Sequence, residues 1–259
     1  MKSFFWTLLI AISLTACGGE QTHNASAQAE MSANTNPAAE GFDATGSDSM
    51  AIALADEVME AMGGREAWDQ TRYIHWNFLG FRTLTWDKIG KRVRIDMPET
   101  ETTLITNLET LEGMAKQRGA VVSDPDTLSK LMEQARNVWI NDSYWLVLPF
   151  KLKDSGVTLT YQGMGEMLDS TQAHILELTF KNVGNTPQNK YQVWIHPETK
   201  LLSQWSYYTT AEDAEPRFVM PWKDYQQYGQ ILLSGDRGAR KLPDIQVADE
   251  MPETLFTEL

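Results

Sequence analysis

Residues 73–97 read YIHWNFLGFRTLTWDKIGKRVRIDM, and the alternation in this stretch decides the fold class. Ile74, Trp76 and Phe78 alternate with His75 and Asn77, and Leu84 and Trp86 follow. Asp87-Lys88-Ile89-Gly90 is a turn, after which Val93, Ile95 and Met97 alternate with Arg92, Arg94 and Asp96. A period of two, with apolar residues on one side, marks a half-buried strand. Three such segments in succession predict an antiparallel meander.

The pattern continues downstream. Segments near 102–108 and 111–117 extend it, and strands are predicted again at 157–162, 173–181, 190–196, 201–209, 217–225, 229–234 and near 241–248. Asn182-Val183-Gly184-Asn185 and His196-Pro197-Glu198-Thr199-Lys200 are turn signals between them. Helical blocks stand at two places. Ser47, Asp48 or Ser49 can cap a first helix whose stripe includes Leu54, Ala55, Val58, Met59 and Met62, and Gly63-Gly64 stop it. Asp124-Pro125-Asp126-Thr127 starts a second, with Leu128, Leu131, Met132, Ala135 and Trp139 at helical spacing. Asn141-Asp142 reads as the cap of a further short helix through Tyr144–Leu152. That run is the most apolar part of the chain beyond the leader, and it fits a mobile lid, a membrane-contacting segment or a buried core helix. About eleven strands in up-and-down order can form one strongly curved sheet, which must close or cover its inner face. The expected fold is therefore mainly β (α+β), an incomplete antiparallel barrel with helices over the concave face. No sequence repeat suggests a propeller or solenoid.

Upstream of this body the chain reads as an address and a tether. Lys2 gives a short positive region, and Phe4 to Leu14 are apolar except for Thr7 and Ser13. This run is shorter than the roughly 20 residues a bilayer span needs, and it suits a signal peptide. It ends in Leu14-Thr15-Ala16-Cys17, which resembles a lipoprotein box with cleavage before Cys17 and lipid attachment to its sulfur. Gly18, rather than Asp, after the cysteine points to the outer membrane facing the periplasm. The alternative is an ordinary signal peptide cut after Ala16. Residues 18–46 are rich in Gly, Ala, Ser, Asn and Gln, and too poor in large hydrophobes to order themselves. The predicted organisation is a signal peptide at 1–16, a lipidated Cys17 with a flexible tether to 46, and a folded body at 47–259.

The formal charge of −13 excludes a face that neutralises phosphates, so no nucleic-acid partner is expected. A single Cys excludes a disulfide framework and a cysteine-based zinc site. His23 lies in the tether, while His75, His174 and His196 sit on separate predicted strands without pairing, so no metal is expected. No glycine-rich phosphate loop and no nucleophile elbow occurs, and neither a cofactor nor a catalytic residue is assigned. Glu99, Glu101, Glu109 and Glu112 read as a solvated face. A carboxylate pair for hydrolysis of glycans stays open, with nothing to mark it.

Eight of the nine Trp lie beyond the leader, several of them at alternating strand positions. A wall of large apolar groups with few polar ones suits an acyl chain. The predicted inner surface comprises Trp76, Phe78, Trp86, Val93, Ile95, Leu176, Leu178, Phe180, Val193, Ile195 and Trp222, with Leu146 and Phe150 from the central apolar run. Tyr191, Val193 and Ile195 compete with Trp194 for the same side, and an error of one residue would turn the set outward. The same residues serve equally as a plain core.

Three stretches in order, Met62-Gly63-Gly64-Arg65-Glu66-Ala67-Trp68, Asn141–Asp154 (NDSYWLVLPFKLKD) and Trp222-Lys223-Asp224-Tyr225 before Gly229-Gln230-Ile231-Leu232, resemble the LolA/LolB-like lipoprotein-localisation-factor superfamily. The likeness is closest to its outer-membrane lipoprotein branch and covers most of residues 50–250. It implies an incomplete barrel with a helical lid over an apolar cavity for acyl chains. Three readings follow. One is a non-enzymatic lipoprotein that holds a lipid, acyl chain or other apolar ligand, in lipid or lipoprotein trafficking, and meets the membrane through Cys17. A second is an envelope sensor or scaffold with a packed core. A third is a glycan or lipid hydrolase. No protein partner is named by the sequence.

Overall fold

The alternating stretch at 73–97 forms three paired strands in the computed structural model, which describes residues 35–259. The predicted signal peptide, Cys17 and the tether as far as residue 34 lie outside the described residues.

Helices α1 (Ser49–Ala61) and α2 (Arg65–Gln70) precede strands β1 (Tyr73–Phe78), β2 (Arg82–Asp87), β3 (Arg92–Met97), β4 (Thr102–Asn107), β5 (Gly113–Gln117) and β6 (Ala120–Val121). The long helix α3 (Pro125–Val147) separates these from β7 (Val157–Glu166), β8 (Gln172–Phe180), β9 (Lys190–Ile195), β10 (Leu202–Tyr208) and β11 (Phe218–Pro221). The chain closes with β12 (Lys223–Tyr228), β13 (Ile231–Arg237), β14 (Arg240–Lys241), β15 (Gln246–Ala248) and the short α4 (Thr254–Thr257).

The strands pair antiparallel, mostly where the alternation placed them, but not as one sheet. The described residues form a seven-stranded sheet in the order β15-β1-β2-β3-β4-β5-β6, a five-stranded sheet β11-β10-β9-β8-β7 and a three-stranded sheet β12-β13-β14. The expected single sheet of about eleven strands is thus corrected to three sheets, with no closed barrel. Two local causes are visible. The expected strand at 217–225 breaks at Trp222, whose N–H donates to the Ser203 carbonyl at 2.8 Å while its ring is buried. The expected strand near 241–248 breaks at Leu242-Pro243, because proline has no N–H to give a ladder. Its first half joins the small sheet, and its second half pairs with β1 at the far end of the chain.

A further correction concerns the middle of the chain. The two helices expected there are one helix of 23 residues. The Asp124 carboxylate accepts the Thr127 N–H and Pro125 opens the first turn, as predicted. Asn141-Asp142 do not cap anything. Asp142 is fully buried in mid-helix, and its carboxylate receives Arg82 Nε at 2.6 Å and Nη2 at 2.8 Å. The helix ends where Pro149 enters a tight 3-10 turn, Leu148–Lys151. Arg237, buried beneath the Trp222 ring, donates to the free Trp145 carbonyl at 2.6 Å and so ties the small sheet to this helix end.

One apolar cluster fills the space between the large sheets, α1 and α3. Ile74, Trp76, Leu84 and Ile95 enter it from one sheet, and Leu176, Leu178, Val193 and Ile195 from the other. The strand phase at β9 is resolved: Val193 and Ile195 face this core, whereas Trp194 packs on the opposite face with Met167 and Ala173. Phe256 of α4 covers Tyr73 and Ile105 on the outer face of the seven-stranded sheet. Gly63 lets the chain pass the β12–β13 turn. Its φ is +115°, and a Cβ there would stand 2.3 Å from the Gln230 carbonyl oxygen. The neighbouring Met62 carbonyl accepts Leu232 N–H at 2.9 Å.

Residues 36–48, much of which composition assigned to the tether, run along the body as a strap. Ala39, Asp43 and Asp48 donate their N–H groups to the carbonyls of Lys153, Val157 and Leu159. Lys153 is itself buried, paired with Asp56 at 2.5 Å and bonded to the Asn36 carbonyl. No helix among the described residues is long and apolar enough to cross a membrane.

Candidate ligand-binding cleft

Where the C-terminal half of α3 passes the ends of β7, β8 and β9, the packing leaves a cleft of about 440 Å³. The helix contributes Trp139, Ile140, Tyr144 and Trp145. Residues four apart on a helix share a face, so Ile140 and Tyr144 stand one above the other toward the opening. Val157 at the start of β7, Phe180 at the end of β8, Tyr191 at the start of β9 and Val183 in the connecting loop form the opposite wall. Asn141, Ser143, Lys151, Asp154, Ser155, Asn185, Thr186 and Asn189 supply the polar part of the lining.

Local hydrogen bonds hold the loop 181–189 over the cleft. Asn185 Nδ2 reaches the Asn137 carbonyl on α3 at 3.2 Å, and Asn189 Nδ2 donates to Thr186 Oγ1 at 2.5 Å. The rings at the wall contact one another. Tyr144 lies 6.2 Å from Phe180 and 5.5 Å from Tyr191, and Phe180 meets Tyr191 edge-on at 5.6 Å. Tyr191 is backed by Trp205, stacked at 5.6 Å and 4°.

The site carries little net charge. Lys151 and Asp154 pair across 2.7 Å. Burial pushes the Tyr144 hydroxyl well above the usual phenol range. Burial, with Tyr207 nearby, pushes Tyr191 up to about 12. Both phenols are therefore neutral near pH 7. Tyr144 Oη, Trp139 Nε1 and Asn189 Oδ1 are buried with no hydrogen-bond partner in the protein. An arrangement of this kind can hold a neutral apolar molecule.

Of the thirteen residues predicted to line a cavity, twelve lie elsewhere. Trp76, Phe78, Trp86, Val93, Ile95, Leu146, Phe150, Leu176, Leu178, Val193, Ile195 and Trp222 are brought together, but as tightly packed core. Only Phe180 lines the cleft. The expected greasy hollow beneath the helices is filled by these side chains, and the open volume lies to one side of it. The residues not assigned, Ile140, Tyr144, Val183 and Tyr191 among them, had one signal. The run Tyr144–Leu148 is apolar all round the helix, which is more than one buried face requires. Leu146 and Leu148 turn to the core, Trp145 borders both the core and the cleft, and Tyr144 lines the cleft. The three described histidines are apart and engaged: His75 with Thr85 at 2.8 Å, His174 with Tyr161 at 3.0 Å, and His196 accepting the Glu198 and Thr199 N–H groups. No cluster of three or more metal-ligating side chains occurs among the described residues.

Residues 111–248, just over half of the chain, match the Family of unknown function (DUF6503). No curated protein matches the chain. Among solved structures, the chain is similar to a DUF1329 family protein from Desulfovibrio piger, at 15% identity and a TM-score of 0.43, over 80% of this chain and 96% of that one. It is also similar to a LolA superfamily protein from Nitrosomonas europaea, at 8% identity and a TM-score of 0.40, over 80% of this chain and 97% of that one.

Proposed function

The chain belongs to the DUF6503 family of unknown function, and we propose that it is a lipid-anchored envelope protein that binds an apolar ligand in the cleft between α3 and the β8–β9 loop. The observation that carries this reading is the cleft itself: a volume of about 440 Å³, walled by rings and branched aliphatic groups, beside a core that is otherwise filled. That volume lies within the range of about 300–1,000 Å³ common to small-molecule sites. Leu14-Thr15-Ala16-Cys17 supports attachment through Cys17, and Gly18 favours the outer membrane. A role in lipid or lipoprotein trafficking is what the superfamily resemblance implies. Acyl chains on that cysteine would hold the protein firmly, at about 0.8 kcal/mol per buried methylene. A scaffold role is the second reading, and the twelve core-packed positions favour it.

The two part on a titration. The full chain carrying Cys17→Ser, which has no acyl group of its own, should bind a dansylated fatty acid with saturating one-to-one fluorescence. Ile140→Trp, which fills the cleft without entering the core, should weaken that binding about tenfold or more, the effect of losing some 1.4 kcal/mol. No saturable binding, or binding indifferent to Ile140→Trp, favours the scaffold. Labelled palmitate should enter the wild-type chain and not the Cys17→Ser chain.

A further inference from the structure

We infer that the cleft selects a single planar ring compound bearing a hydroxyl or carbonyl group, of the phenol or quinone class, over a saturated chain. This rests on the binding role proposed above and specifies its ligand. Three observations lead to it.

First, the wall is made of rings already in mutual contact. Tyr144, Phe180 and Tyr191 meet pairwise at 5.5–6.2 Å, tilted or edge-on. The cleft opens against this corner. A ligand ring placed there gains the directional attraction of face and edge in addition to burial, whereas a methylene chain gains burial alone.

Second, the corner is backed by a ladder of further rings. Tyr191 pairs across the sheet with Tyr207, and Tyr207 with Phe218. Their rings follow at 5.4 Å and 5.2 Å, and Trp205 stacks flat behind Tyr191. A flexible chain needs walls that adapt to it; a flat ligand needs a flat surface that stays in place. This ladder across three strands supplies one.

Third, the wall leaves polar needs unmet. The hydroxyl of Tyr144 and the side-chain carbonyl of Asn189 have no partner in the protein, and Asn189 is only 4% exposed. A buried polar group without a bond is unfavourable, so a ligand that brings a complementary group is favoured. A ring carbonyl would accept from Tyr144, and a ring hydroxyl would donate to Asn189. A bare alkyl chain satisfies neither. The volume of about 440 Å³ suits one compact molecule.

The test compares naphthol with decanol, which match in heavy-atom count and in their single hydroxyl, by calorimetric titration of the full Cys17→Ser chain. Decanol is the more hydrophobic, so a merely greasy pocket would prefer it. The inference predicts that naphthol binds tighter, by up to about tenfold for a favourable ring pair. Tyr191→Leu and Phe180→Leu, which keep the wall apolar, should bring the two affinities together. Tyr144→Phe should weaken naphthol several-fold and keep its lead. Decanol binding as tightly or more tightly overturns the inference while the cleft reading stands; binding of neither overturns both. The comparison on the Cys17→Ser chain, whose cleft residues are all unchanged, decides by itself, so a cleft variant that fails to fold leaves the test intact.

Discussion

At the scale of single residues, buried carboxylates and phenols set the behaviour. Asp87 is fully buried and receives Arg92 Nη2 at 2.7 Å, the Gly90 N–H at 2.8 Å and Arg72 Nε at 3.3 Å. Burial pushes its carboxyl up, but these bonds together outweigh burial and hold it below the ordinary value. The unfolded chain therefore takes up a proton more readily than the folded one as the pH falls. The stability that Asp87 contributes is complete above its unfolded value and is lost below about pH 4. Urea midpoints across pH 3–6 should show that loss, and Arg92→Met should flatten the slope while lowering stability by about 2–4 kcal/mol. Tyr144 gives the opposite kind of test. Its hydroxyl is buried and unbonded, so Tyr144→Phe should leave stability unchanged or raise it by about 1 kcal/mol in the same assay. A loss of that size would mean that the hydroxyl has a partner.

At the scale of elements, the strap and the long helix frame the cleft. The strap at 36–48 is bonded to the backbone at 153–159, and Lys151, Asp154, Ser155 and Val157 in or beside that stretch line the cleft. Lys153 holds it through Asp56 and the Asn36 carbonyl. Lys153→Met should speed amide hydrogen exchange at Ala39, Asp43 and Asp48 at least tenfold, while the amides of β1 to β4 keep their protection. The helix shows where local reading stopped. Its start was legible, because Asp124 and Pro125 act on their own neighbours. Its continuity through Asn141-Asp142 was not. The partner that makes a buried aspartate acceptable in mid-helix is Arg82, sixty residues away, and nothing near Asp142 announces it.

At the scale of the whole molecule, strand periods were readable and sheet membership was not. Alternation at Ile74, Trp76 and Phe78 reports that a face is buried, and it is. It does not report which element buries it, so residues that meet across two sheets read the same as residues lining a hollow. That is why Trp76, Leu176 and Trp222 were expected at a cavity and stand in the core. The breaks at Trp222 and Pro243 set off the three-stranded sheet, α3 parts the other two along the chain, and the free volume lies beside α3. The central claim is that this volume, and not the interior of the sheets, receives the ligand. Hydrogen–deuterium exchange of the full Cys17→Ser chain, with and without saturating naphthol, tests it most directly. The account predicts added protection at residues 139–145 and 181–191 and none in β1 to β5. Protection centred on β1 to β5, or no change at the cleft under saturating ligand, would contradict it.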